Sequence, residues 1–110
     1  MRPRALAVML LVSSVAAATG ALAANPNAGK AKAGEVCASC HGEGGNSAAQ
    51  DFPRLAGQHR DYLAKALRDY KSGLRKNPIM SGFAQGLSKQ DVENLAAYYS
   101  AQPPVVTTKH

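Results

Sequence analysis

Apolar residues recur at helical spacing in two well-separated stretches of the chain. Leu63, Ala66, Leu67 and Tyr70 follow one another at offsets of 0, 3, 4 and 7, as do Val92, Leu95, Ala96 and Tyr99. Each set lines one stripe of an amphipathic helix, with most of the charged residues outside it. The first stripe predicts a helix over 58–72 that stops at Gly73, where a glycine can take the left-handed C′ conformation. The second predicts a helix over 89–101. Ser88-Lys89-Gln90-Asp91 opens it in the form of a capping box, and Pro103-Pro104 ends it. A third, shorter helix is expected over 28–37, with Asn27 as candidate N-cap and with Gly29 and Gly34 inside. Those glycines either permit a close helix approach or are simply tolerated. Residues 41–47 read as a loop by composition, and residues 74–87 show little periodicity and read as another. Pro53 should make Phe52-Pro53-Arg54-Leu55-Ala56-Gly57 a rigid, non-helical run. No strand-like alternation occurs, so the pattern specifies an all-α domain with three main helices.

The first residues have a different character. Arg2 and Arg4 precede a largely apolar run over 5–18, and Ala21-Leu22-Ala23 has the form of an A-x-A cleavage site. Residues 1–23 are therefore expected to be a cleaved secretory signal peptide, 24–104 the folded domain and 105–110 a flexible tail. The apolar run is interrupted by Ser13 and Ser14 and is too short for a spanning helix, which needs about 20 apolar residues, so no stable membrane anchor is expected. The destination of such a leader is the periplasm. Cleavage leaves 87 of the 110 residues and removes two of the 13 basic side chains, so that 11 face seven acidic ones. The remaining positive charge is dispersed and has no aromatic stacking platform beside it, which argues against nucleic acid. Two Phe, four Tyr and no Trp provide modest material for a core of this size. Domains so small commonly need a staple.

Cys37-Ala38-Ser39-Cys40-His41 supplies the chemistry for one. C-x-x-C-H is the signature of covalent haem attachment. On a helical turn the two thiols lie on one side, where each can add to a vinyl group of the same porphyrin, and His41 follows as an iron ligand. A thioredoxin-like redox pair would need a βαβ surround that the pattern lacks. Half of a zinc site would need a second pair of ligands at suitable spacing. A structural disulfide would leave His41 unexplained. In the oxidising compartment to which the leader points, haem attachment also uses both thiols. Met80 is the sole methionine left after cleavage, in a segment stiffened by Pro78. It is the candidate second ligand to iron, and thioether ligation favours the ferrous state. His59 is the rival, placed at the start of the middle helix and expected to face solvent.

These features together resemble the class I c-type cytochromes, in particular small bacterial mono-haem members similar to one domain of the di-haem cytochromes. The likeness is carried by C-x-x-C-H, by Pro53-Arg54-Leu55-Ala56-Gly57-Gln58, by the helix ending at Gly73, by Met80, and by the stretch from Leu87-Ser88 to Tyr98-Tyr99. It implies the cytochrome c fold, with helices and loops wrapped around one haem c joined to Cys37 and Cys40, and with His41 and Met80 as iron ligands. It further implies that Pro53 offers its carbonyl to His41, that Leu55 packs on the porphyrin, and that Gly29 meets Tyr98 at a helix crossing. Arg54, Gln58 and Arg75 are candidate propionate partners. One departure is Ala33, where family members often carry an aromatic residue. The implied function is that of a monomeric electron carrier rather than an enzyme, exchanging single electrons with periplasmic or membrane-bound redox proteins. An open-site haem protein and a subunit fixed to one dehydrogenase are the competing readings.

Overall fold

The computed structural model describes residues 2–14 and 23–105. Ala21 and Leu22 of the expected cleavage site and nearly all of the expected tail lie outside the described residues. Residues 2–14 form neither helix nor strand, and no helix among the described residues is long and apolar enough to cross a membrane. Five α-helices follow: α1 (Pro26–Val36), α2 (Ala38–His41), α3 (Arg60–Ser72), α4 (Pro78–Gln85) and α5 (Lys89–Ser100), with a short 3-10 turn at Glu43–Gly45 after α2. The described residues contain no strand, in keeping with the all-α expectation.

The N-cap of α1 is Asn25, not Asn27. The Asn25 side chain accepts from the amides of Asn27 and Ala28, and Pro26 occupies the first turn, where its missing N–H costs nothing. A distant residue fixes the choice: the Asn25 amide donates to Asn94 Oδ1 on α5 at 2.8 Å. From there α1 crosses α5, its most extensive partner. Gly29 makes the crossing possible, because a Cβ on it would lie 2.1 Å from the Asn94 carbonyl oxygen and 2.9 Å from Tyr98 Cβ. The close-approach reading of Gly29 is therefore the right one, and Tyr98 is the partner that the resemblance implied. Gly34 has open space around it and serves no such purpose. At the departure noted above, Ala33 is buried, and Tyr98 and Tyr99 pack as a tilted pair with ring centroids 5.0 Å apart.

Helix α3 starts two residues later than expected and ends at Gly73 in the left-handed conformation (φ 85°). Its buried face, centred on Leu63 and Ala64, packs against α5. The capping box of α5 forms in full: the Asp91 amide donates to Ser88 Oγ at 3.0 Å, and the Ser88 amide donates to Asp91 Oδ2 at 2.9 Å. Leu63, Leu87, Val92, Leu95 and Ala96 make up most of the core, and Leu95 is the largest side chain in it that is fully buried.

The departure from expectation is α4. Residues 78–85 lie in a stretch that reads as a loop, yet they form two turns of helix. Asn77 caps it by accepting from the amides of Ile79 and Met80, both at 3.0 Å, and Pro78 sits in the first turn. The helix packs on α3, and Ala84 on its inner side is completely buried.

Candidate functional site

The inner faces of the helices enclose a cavity of about 420 Å3, within the range of small-molecule and cofactor sites. One wall is the α1–α2 junction. Cys37 is the hinge between the two helices, with φ −113° and ψ −38°; its carbonyl accepts from the amides of Cys40 and His41. That single turn turns both thiols and the imidazole toward the same space. Both cysteines are unpaired and half-buried. Burial pushes the Cys37 thiol above its ordinary range, an effect that Tyr99 and Lys32 partly offset.

His41 is buried, and its Nδ1 lies 2.8 Å from the Pro53 carbonyl oxygen. A carbonyl can only accept, so Nδ1 carries the proton and Nε2 is left as a neutral donor for a metal. The Phe52 ring meets the imidazole edge-on, with centroids 6.5 Å apart and planes at 67°. Pro53 and Leu55 line the same cavity, and Leu55 is held by its amide donating to the Gly45 carbonyl at 2.8 Å.

The facing walls are apolar. Leu63 and Leu67 come from α3, Ile79, Phe83 and Ala84 from α4, and Leu95 and Ala96 from α5. Met80 is half-buried in the first turn of α4 and also lines the cavity. All six residues singled out in the sequence as cofactor contacts, Cys37, Cys40, His41, Met80, Pro53 and Leu55, thus meet at one cavity. His59 is exposed at the N-cap position of α3 and does not line it.

Arg54, Gln58 and Arg75 are at the cavity as well, but each is engaged by the protein. Arg54 donates to the carbonyls of Ser47 at 3.0 Å and Val105 at 2.7 Å. Gln58 Oε1 accepts from the His59 amide. Arg75 donates to Tyr62 Oη at 3.1 Å and lies over the Tyr70 ring, 4.8 Å from its centroid.

Sequence reasoning missed two contributors. Asn77 holds the Met80 amide, and the Asn-Pro pair at 77–78 is a legible cap signal that the low periodicity of 74–87 obscured. Tyr99 lines the cavity with a buried hydroxyl that has no hydrogen-bond partner; only its ring had a role in the helical pattern.

This donor set fits a covalently held haem. Two thiols stand on one wall beside an imidazole whose Nδ1 is committed to a carbonyl and whose Nε2 is left to bind, a thioether stands on another element, and the rest of the lining is predominantly apolar. The family model for cytochrome c matches residues 26–101. This chain belongs to the cytochrome c family. Its relatives include cytochrome c4 of Thiocapsa roseopersicina, 49% identical over 79 residues that make up 72% of this chain and 41% of that protein. Cytochrome c-554(548) of Halomonas halodenitrificans is 43% identical over 82 residues, covering 68% of this chain and 99% of the relative. Among solved structures, reduced recombinant cytochrome c4 from Pseudomonas stutzeri superposes with a TM-score of 0.71 at 44% identity, covering 76% of this chain and 48% of that one. This chain spans about half the length of the cytochrome c4 relatives it matches. It corresponds to one domain of a di-haem class I cytochrome and has the cytochrome c fold.

Proposed function

We propose that this protein is an exported mono-haem cytochrome c that carries single electrons between redox proteins. In this reading residues 1–23 are a signal peptide, the site of action is the periplasm, and the mature domain works as a monomer without catalysing bond chemistry. One haem is joined to Cys37 and Cys40, and its iron is held by Nε2 of His41 and Sδ of Met80. The observation that carries the proposal is the meeting of these four side chains at a single apolar cavity, with His41 Nδ1 already committed to Pro53.

The bound group supplies a reversible ferric–ferrous couple. The chain's contribution is to keep that couple fast and its potential raised. With His41 and Met80 both placed to hold the group, no protein ligand would need to change on electron uptake. A rigid, apolar enclosure keeps reorganisation small, and a thioether stabilises the ferrous state. A relative from Thiomonas intermedia, 48% identical over 69 residues, is named a thiosulfate dehydrogenase electron acceptor. That name supports a role between a donor enzyme and a further redox protein.

The optical spectrum tests this. The oxidised holoprotein should show the weak far-red band of thioether–iron ligation, and Met80→Ala should abolish it while the haem stays covalently attached. A wild type that lacks the band and binds carbon monoxide readily when reduced would have an open iron site, and the carrier reading would fall.

A further inference from the structure

Tyr99 is 3% exposed, and its hydroxyl is buried with no hydrogen-bond partner. An unsatisfied buried hydroxyl is destabilising, whereas phenylalanine would fill the same space without that cost. Helix packing alone does not account for the oxygen.

The ring is held in place from several sides. Gly45 presses against it with φ +78°; a Cβ on Gly45 would lie 2.7 Å from Tyr99 Cδ1. The Gly45 carbonyl is in turn fixed by the amides of Leu55 and Ala56. On the backbone side the Gly57 amide donates to the Tyr99 carbonyl at 3.0 Å. The phenol held in this way and Cys37 line the same cavity, close enough to influence each other's protonation although the hydroxyl makes no hydrogen bond there. Burial keeps both groups protonated at neutral pH, since it pushes the thiol and the phenol upward. Two protonated groups then face each other, and a thiol sulfur is a poor acceptor.

Thioether formation changes that relation. When the Cys37 thiol adds across a vinyl group, a sulfur–carbon bond forms and the thiol hydrogen passes to the neighbouring carbon. No electron is gained or lost overall. The sulfur is left with lone pairs and no proton, so it can only accept, and the phenol beside it can only usefully donate.

We propose that Tyr99 is a positioning residue whose hydroxyl donates a hydrogen bond to the sulfur linking Cys37 to the porphyrin, and that this bond raises the iron's reduction potential. The proposal rests on the haem attachment inferred above. The direction follows from the chemistry: donation to the sulfur draws electron density from the ring it is attached to, which favours ferrous iron.

The test uses the holoprotein and its Tyr99→Phe variant, with Tyr98→Phe as control because Tyr98 is buried outside the cavity lining. Whole-protein mass and the far-red band establish that haem and axial ligands are unchanged, and a redox titration then reads the midpoint. Tyr99→Phe is expected to shift it downward while Tyr98→Phe leaves it in place. In the reduced wild type, proton NMR should find a slowly exchanging Tyr99 hydroxyl with cross-relaxation to the Cys37 methylene. An unchanged midpoint in a fully loaded Tyr99→Phe protein would overturn the proposal and leave the carrier reading intact. If the variant does not accumulate, the wild-type hydroxyl decides: protected and close to Cys37 supports the bond, freely exchanging sinks it. A wild-type mass without haem would overturn both readings.

Discussion

At the scale of single residues, the site depends on backbone groups as much as on side chains. His41 is oriented by the carbonyl of Pro53, so the proline ring contributes by stiffening the segment while the oxygen does the bonding. Gly45 is more exacting. It combines a left-handed backbone with contact against the Tyr99 ring and the Ala56 amide, whose nitrogen a Cβ would approach to 2.8 Å. Gly45→Ala should therefore cost about 3 kcal/mol, from the left-handed penalty together with displacement of a packed ring. Chemical denaturation of the holoprotein should show the lowered midpoint. The same substitution at Gly34, which has open space around it, should be neutral or slightly stabilising.

At the scale of elements, α4 has the most direct bearing on the proposed function, because it carries Met80, the iron ligand of that proposal, to the cavity. Its first turn is organised by Asn77, which accepts from the Met80 amide itself. Asn77→Ala should destabilise the helix by about 1 kcal/mol. The clearer readout is at the iron: the far-red band should be lost at a lower temperature than in the wild type, ahead of global unfolding. The contact of α3 with α5 shows which forces dominate elsewhere. Arg60 and Arg68 reach Glu93 at 3.7 and 3.3 Å, but both arginines are about half exposed. Such pairs contribute about 1 kcal/mol or less. Leu95 is 1% exposed, and Leu95→Ala should cost about 2–5 kcal/mol. Apolar burial holds these helices together, with the ion pairs as a surface addition.

At the scale of the whole molecule, the helices surround a cavity with a thin shell of aliphatic residues, and Leu95 is the largest fully buried side chain. Tyr62, Ile79 and Phe83 line the cavity while each stays about half exposed. A porphyrin in that cavity would give these rings and branches an apolar surface to bury against, making the cofactor part of the core. The Cys37→Ala, Cys40→Ala double variant, produced without covalent haem, is therefore expected to lose the cooperative thermal transition of the holoprotein, as read by near-ultraviolet circular dichroism. A double variant that melts as sharply as the holoprotein would mean that the helices suffice by themselves.

What the sequence determined by itself was local. The two amphipathic stripes, the Ser88–Asp91 box, the stop at Gly73 and the C-x-x-C-H turn each depend on residues within a few positions of one another, and each is found as the spacing specified. The resemblance added the contacts of Pro53 with His41 and of Gly29 with Tyr98. Tertiary structure decided the rest, because those outcomes depend on groups far apart in the chain. Asn25 rather than Asn27 caps α1, since Asn94 on α5 binds its amide. The stretch from Pro78 to Gln85 is helical because Asn77 caps it and α3 offers a surface to bury Ala84, although two turns are too few to show a period. Arg54 and Gln58 bond to the protein's own backbone. Tyr99 reads as one more apolar position in a stripe, and only the fold places its oxygen beside Cys37 with no other group to bond.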